Sequence, residues 1–521
     1  MRLLRLRIGD FGEGHELKLD LGSASVTDAA LAFLVGPNGT GKSRVLEILG
    51  RIFSHLSAGV APGLDFELEY ELGEQRVLIS SRRPKLERGN AGERIERVDA
   101  WLLVAPAQDF DGWRAKHRRS EWPAGAKLDT ILPYRVVGLS TGPASRLDSA
   151  LRGSVIDTLS QRLDTSADEA PPDVPREEFE AFRESEREAL RRELQAVSNE
   201  DARSIALSGE ELSLAMLALL CHPGAIEPQD EIRDEILRRV GLRAEDSLCA
   251  FSLEVVGSWQ NLILAHEHQV FEELLNQASR RIALIGRQLP EEEEPPEADQ
   301  RAIFEVSASL RGWLAESSES PFIWFGQMLR WLKAGAIRTV RLVLKKQGSD
   351  DLLLDSDFSD GELLLAGRYG LLLLLREHRN CLVLFDEPET HFNDRWKIDL
   401  VRDLVRILDG RAAQVVIATH SDITLSDADH AAVHLLERNG AQPSRSTVQP
   451  PVSPFGADRA TITTSVFGAS SGSGSYAIEI VDEALGSKDR ERIEAALERV
   501  GPGFHQFRLE YALRTLGEDA G

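Results

Sequence analysis

Gly36-Pro37-Asn38-Gly39-Thr40-Gly41-Lys42-Ser43 fits the pattern G-x-x-x-x-G-K-[ST]. Three glycines in six residues allow backbone N–H groups to turn inward around an anion, and a helix starting at the same point adds positive potential. Lys42 is then placed to reach the β- and γ-phosphates of a nucleotide, and the Ser43 hydroxyl to ligate Mg²⁺. A Gly-rich turn without function shares the composition but not the flanks. Here the apolar run Leu31–Val35 reads as a buried strand. Val45, Leu46, Ile48, Leu49, Ile52, Phe53 and Leu56 then recur at helical spacing.

Further along, Leu382–Phe385 is a short apolar run that ends in Asp386 and Glu387. A strand there delivers Asp386 to a Mg²⁺ shell and leaves Glu387 to polarise a water as general base. Val415–Ala418 ends in Thr419-His420-Ser421, a strand end that puts a histidine next to phosphate. Before both lies Ser359-Asp360-Gly361-Glu362, which opens a leucine-rich helical pattern. Ser359 and Glu362 also have the spacing of a plain helix cap.

The order of these four motifs resembles the ABC-type P-loop ATPases. The resemblance spans about residues 1–150 and 336–440. It implies an α/β ATPase head, a mixed sheet with helices plus an antiparallel β subdomain. It makes ATP and Mg²⁺ the ligands, with Gly36, Asn38, Gly39, Thr40, Gly41, Lys42 and Ser43 around the phosphates. It further implies that Ser359, Gly361 and Glu362 contact the γ-phosphate held by an opposite subunit, so that the enzyme is a homodimer through its ATP sites. The long separation of Lys42 from Gly361 is similar to the SMC, RecF and OLD-like branch. The runs MRLLRLRI, GPNGTGKSRVLEILGRIF, DFELEYEL and ILPYRVVGLSTG are similar to restriction-system-associated and Septu-type antiviral ATPases. That resemblance implies a defence clamp or sensor gating a separate nuclease or toxin subunit. RecF- or SMC-like DNA repair and a low-turnover ATP-dependent scaffold stand as alternatives.

The chain departs from the family at two places. Ser140 and Thr141 end the strand where transporter ATPases carry a glutamine, and Gln108 is the substitute at hand. Asn393 stands where a histidine is common. Phe11 is either an adenine-stacking ring or a core phenylalanine.

The elements that must position these residues divide the chain into four expected parts: an ATPase half (1–150), a helical insertion (151–335), a second ATPase half (336–447) and a tail (448–521). Within them we expect a hairpin at Asp65–Leu72 and Arg76–Ser81, and strands at Trp101–Ala105, Val136–Leu139 and Ile337–Leu344. Helices are expected at Arg176–Val197, Glu210–Leu220, Phe271–Leu289 and Glu362–Glu377, with two short ones near the end. Glu291–Pro296 reads as a solvated loop and Gly468–Ser475 as a flexible one.

Composition bounds the rest. With 42% hydrophobic and 28% charged residues, the 521-residue chain is an ordinary globular protein of several folding units. No apolar run reaches the length of a membrane span, and the first residues lack a signal-peptide core. Three cysteines, none at metal spacing, exclude a disulfide scaffold or a zinc ribbon and fit the cytoplasm. A net charge of −24 excludes a general nucleic-acid coat. Residues 76–135 nevertheless hold 13 basic and 8 acidic residues, with Trp113 and Trp122 flanking a cationic run. Contact with DNA there and a structural or partner-binding loop are both open.

Overall fold

The computed structural model describes residues 1–9, 11, 16–21, 30–57, 62–81, 85–88, 94–97, 100–106, 130–140, 147, 149–151, 204–207, 209–226, 230–284, 298–408, 413–438, 444–469 and 473–518. The expected helix 176–197, the loop 291–296, Gln108, Thr141 and the cationic run between Trp113 and Trp122 lie outside the described residues, as does part of 468–475.

Short apolar runs build the centre. Strands β1 (Arg2–Ile8), β2 (Glu16–Asp20), β3 (Ala30–Val35), β4 (Phe66–Leu72), β5 (Gln75–Ser81), β8 (Ala100–Pro106), β9 (Val136–Ser140), β10 (Ser204–Leu207), β16 (Leu382–Asp386), β17 (Gln414–Ala418), β18 (Val433–Arg438) and β19 (Ser444–Val448) form one sheet. Its order is β10-β9-β16-β17-β3-β18-β19-β2-β1-β4-β5-β8. The run from β10 to β18 is parallel, and β1, β4, β5 and β8 pair antiparallel. This is the mixed α/β sheet with an antiparallel β part that the motifs imply. β6 (Lys85–Arg88) and β7 (Arg94–Arg97) make a separate ribbon.

Alternate residues of the parallel strands serve two cores, as a period of two requires. Ala32, Leu34, Leu384 and Val416 face helix α1 (Lys42–Ser57) through Val45, Leu49 and Ile52. Phe33, Val35, Val383, Phe385, Val415 and Ile417 face the other way. That second core contains α2 (Glu210–Cys221), buried on nearly every side, and α5 (Asp360–Leu374). The two helices cross closely because Gly367 has no side chain: a Cβ there would lie 2.8 Å from Leu212 Cβ.

The insertion is largely helical, with further helices at Ala308–Ser317 and Pro321–Lys333, but it also carries strands that its sequence did not announce. Besides α2, α3 (Glu231–Arg239) and α4 (His268–Asn276), it holds β11 (Leu248–Val255), β12 (Arg280–Ala283) and β13 (Gln300–Glu305). With β14 (Ile337–Lys345) and β15 (Leu352–Leu354) these form an antiparallel sheet in the order β12-β13-β11-β14-β15. The helical pattern expected over Phe271–Leu289 stops at Asn276, because Arg280–Ala283 pairs with β13 as an edge strand. Two strands also cross the expected domain bounds. β10, within 151–335, joins the ATPase sheet beside β9, and β14, after 335, pairs with β11.

After β16 comes α6 (Asp394–Leu408), which Asn393 caps by accepting from the Trp396 N–H at 3.0 Å. The tail holds three longer helices, α7 (Ser475–Ser487), α8 (Arg490–Arg499) and α9 (Phe504–Glu518), around a small core of Val481, Ala484, Ile493, Ala496 and Leu509. No helix among the described residues is long and apolar enough to cross a membrane.

Candidate functional site

Register brings the sequence motifs to one edge. In the parallel pairs Asp386 lies opposite Ala418 and Ser140, and Ala418 lies opposite Leu34. Glu387 N donates to Ala418 O at 2.9 Å and Thr419 N to Leu34 O at 3.2 Å, so the ladder reaches just past the strand ends. Ligands of open α/β sheets collect at such carboxyl ends.

The loop from β3 to α1 needs its glycines. Gly36, Gly39 and Gly41 have φ of 140°, 78° and 101°, and a Cβ on Gly36 would lie 2.7 Å from Leu436 O. Thr40 is tied down through its N–H and its hydroxyl, both donating to Pro37 O, while Asn38 and Gly39 are exposed. Lys42 bends back over the loop and donates to Gly36 O at 2.8 Å and to Pro37 O at 3.3 Å. Burial pushes its ammonium down to about 8, against the pull of Glu387 and Asp386. Ser43 Oγ donates to Asp386 Oδ1 at 2.8 Å. Burial raises the Asp386 carboxyl above the usual range, and the Ser43 hydrogen bond opposes it.

Glu387 sits in the left-handed region at φ 50°, an uncommon position for a residue with a side chain. Its Oε1 is 3.5 Å from His420 Nε2, and both side chains are partly open to solvent. Burial, then the nearby Lys42, lowers the His420 pKa, with Glu387 opposing. Lys42, Ser43, Asp386, Glu387 and His420 thus form one electrostatic group.

Ser359, Gly361 and Glu362 engage other partners. Ser359 caps α5: its Oγ accepts from Glu362 N at 3.3 Å and donates to Glu362 Oε2 at 3.0 Å. Lys346 Nζ, 4.6 Å from the Phe358 ring centre, pairs with Glu362 Oε1 at 2.7 Å and, after burial, is the main influence on that carboxyl, which lies below its ordinary pKa. Gly361 packs on the loop after β16, where a Cβ would lie 2.6 Å from His391 O. Phe11 is 2% exposed with the Arg44 guanidinium over its ring, so it is a core residue and not an open stacking face.

Two buried charged residues escape sequence reasoning. Arg368, 2% exposed, donates to Pro388 O at 2.8 Å and Ser140 O at 3.1 Å, joining α5 to the loops after β16 and β9; burial pushes it down to about 10. Glu389, 6% exposed, accepts a hydrogen bond from Thr419 Oγ1, and burial raises its pKa. Their only sequence signals are a lone arginine amid leucines and a third acid after Asp386-Glu387, and neither reveals burial.

Comparison with known proteins gives partial likenesses. Residues 266–426 match the family described as "AAA domain, putative AbiEii toxin, Type IV TA system". Protein ea59 of Escherichia phage lambda is 31% identical over 86 residues, 16% of this chain and 16% of that protein. The SMC head domain from Thermotoga maritima aligns at 13% identity with a TM-score of 0.31, covering 87% of this chain and all of that one. An SMC head bound to the C-terminal winged-helix domain of ScpA aligns at 12% identity with a TM-score of 0.32, covering 86% and 97%. The glycine-loop geometry at 36–43 and the AAA match over the segment that carries Asp386, Glu387 and His420 support a P-loop ATPase fold.

Proposed function

We propose that this chain binds and hydrolyses ATP as a head-to-tail homodimer, a clamp that gates a separate nuclease or toxin subunit in cytoplasmic antiviral defence. The observation that supports hydrolysis best is the convergence of Lys42, the Ser43–Asp386 hydrogen bond and the Glu387–His420 pair at one strand edge.

In this reading the loop N–H groups of 36–43 and Lys42 take the β- and γ-phosphates. A hydroxyl and a desolvated carboxylate 2.8 Å apart suit a hard divalent cation, so Ser43 and Asp386 would hold Mg²⁺, which supplies positive charge against the phosphates. Glu387 accepts a proton from the attacking water, and His420 holds the γ-phosphate by a hydrogen bond. Ser359 and Gly361 of the second copy close the site on the far side, with the start of α5 contributing its dipole. Retention or loss of the γ-phosphate then sets whether the two copies stay clamped. The defence role is supported by the resemblance of the sequence runs and by the toxin-associated family matched at 266–426.

Steady-state ATP hydrolysis by the purified chain, with and without double-stranded DNA and beside Glu387→Gln, tests the chemistry. Turnover by the wild type and its loss in the variant are expected, whereas equal rates in both would refute the assignment. Phage plating on cells carrying the gene and its neighbours tests the role: Lys42→Ala is expected to lose protection, and full protection by that variant would remove ATP from the defence.

A further inference from the structure

Glu389 is a buried carboxylic acid beside the residues assigned to phosphate chemistry, and the hydrolysis reading gives it no part. Its side chain spans two loops. Oε1 accepts from Thr419 Oγ1, which is wholly buried, and the same Thr419 oxygen accepts from Ser421 N at 2.9 Å. The backbone N–H groups of Glu389 and of His420 also face the carboxyl. Oε2 has no hydrogen-bond partner among the described residues. The Glu389 side chain is thus tied to the residue before His420, to His420 itself and, through Thr419, to the residue after it. The loop it starts from is the one that carries Glu387.

Buried polar atoms persist where they fix geometry, because leaving them unpaired is costly. The cost here is visible: burial favours the neutral acid, and an oxygen is left unmatched. A residue needed only to fill space would be apolar. The contact Glu389 secures is the one between the two groups expected to bracket the γ-phosphate, Glu387 and His420, whose side chains are 3.5 Å apart and half open to solvent. Neither is held there by packing alone.

We propose that Glu389 and Thr419 form a positioning pair that sets the distance between Glu387 and His420, coupling the water-activating loop to the γ-phosphate-sensing loop. This rests on the ATP-hydrolysis reading for its kinetic consequence but not for its geometry. Glu389 does not touch substrate. It acts through the His420 backbone.

Three variants of the full chain test it: Glu389→Ala, Glu389→Gln and Thr419→Val. Glutamine keeps an oxygen for the Thr419 hydroxyl and fills the same space. Glu389→Ala and Thr419→Val should lower kcat by about tenfold or more, with KM for ATP changed by no more than about twofold, the pattern of a lost transition-state alignment. Glu389→Gln should restore kcat to within about threefold of wild type. A second readout needs no turnover. Carbethoxylation of His420 by diethyl pyrocarbonate, followed by mass spectrometry, should speed up severalfold in the alanine and valine variants and return toward wild type in glutamine. Unchanged His420 reactivity in Glu389→Ala overturns the proposal, and so does a glutamine variant as dead as alanine, which would make Glu389 a proton-transfer group. A wild type without turnover, alongside the expected His420 reactivities, would sink the hydrolysis reading and leave the positioning pair standing.

Discussion

The loop edge at 36–43 and the start of α5 both present helix N-termini with hydroxyl and glycine residues, yet they are built differently. At the loop edge the polar groups converge from three separate stretches: Lys42 and Ser43 from α1, Asp386 and Glu387 from the end of β16, His420 from the loop after β17. At the start of α5 the groups are satisfied locally, with Ser359 and Glu362 bonded to each other and Glu362 neutralised by Lys346. On the proposed reading the phosphate site forms within one chain, and the self-capped, charge-balanced start of α5 serves the other copy.

The largest effects are expected at the loop edge. Lys42→Ala and Glu387→Gln should each reduce turnover at least about a hundredfold. They should part on binding, with fluorescent ATP analogues retained by Glu387→Gln and released by Lys42→Ala. Equal binding by both would show that Lys42 does not meet the phosphates. Ser359→Arg should come next, with a comparable loss of turnover but unchanged affinity in the isolated chain, as expected if Ser359 serves the site of the other copy. Reduced ATP affinity at concentrations where the protein is monomeric would place Ser359 in its own chain's site.

Acid should weaken the loop-edge side. His55 on α1 and His434 on β18 are both buried, and burial pushes each down to about 4, from an ordinary value of 6.5. The unfolded chain thus takes up protons below about pH 6.5 that the folded chain refuses until about 4. Stability is full above 6.5 and falls through that window, by at most ~3 kcal/mol per histidine. Urea denaturation from pH 7 to 4 measures it, and His434→Gln should flatten part of the slope. Smallest is Lys346→Ala, whose half-exposed pair with Glu362 contributes about 0.5 kcal/mol or less, read as a shift of melting temperature near one degree. A large loss of ATP-dependent dimer in that variant would instead give Lys346 a direct role in the shared site.

Much of the loop edge was legible in the sequence because its chemistry is local. The strand 414–418 ends where its apolar run ends, and the hairpin turns at Gly73, which has φ 61°. The insertion was less legible. Phe271, Leu274 and Leu275 announce a helix, but nothing nearby says that it stops at Asn276, because the strand that follows is defined by its pairing with β13. β11 finds β14 across some eighty intervening residues, a pairing that local periodicity does not encode. Glu389 and Arg368 were missed for a related reason. A charge is read as exposed unless its partners are known, and theirs are a threonine on another strand end and two backbone carbonyls.

The claim that one chain's phosphate loop works with the other chain's signature residues has a direct test in mixing. Lys42→Ala and Ser359→Arg are prepared separately, each inactive, then combined in equal amounts with ATP and assayed for phosphate release. In a head-to-tail pair of the two variants, one site joins the intact Lys42 of one chain to the intact Ser359 of the other. Random pairing then predicts roughly a quarter of wild-type turnover. A mixture no more active than either variant alone would contradict the shared site.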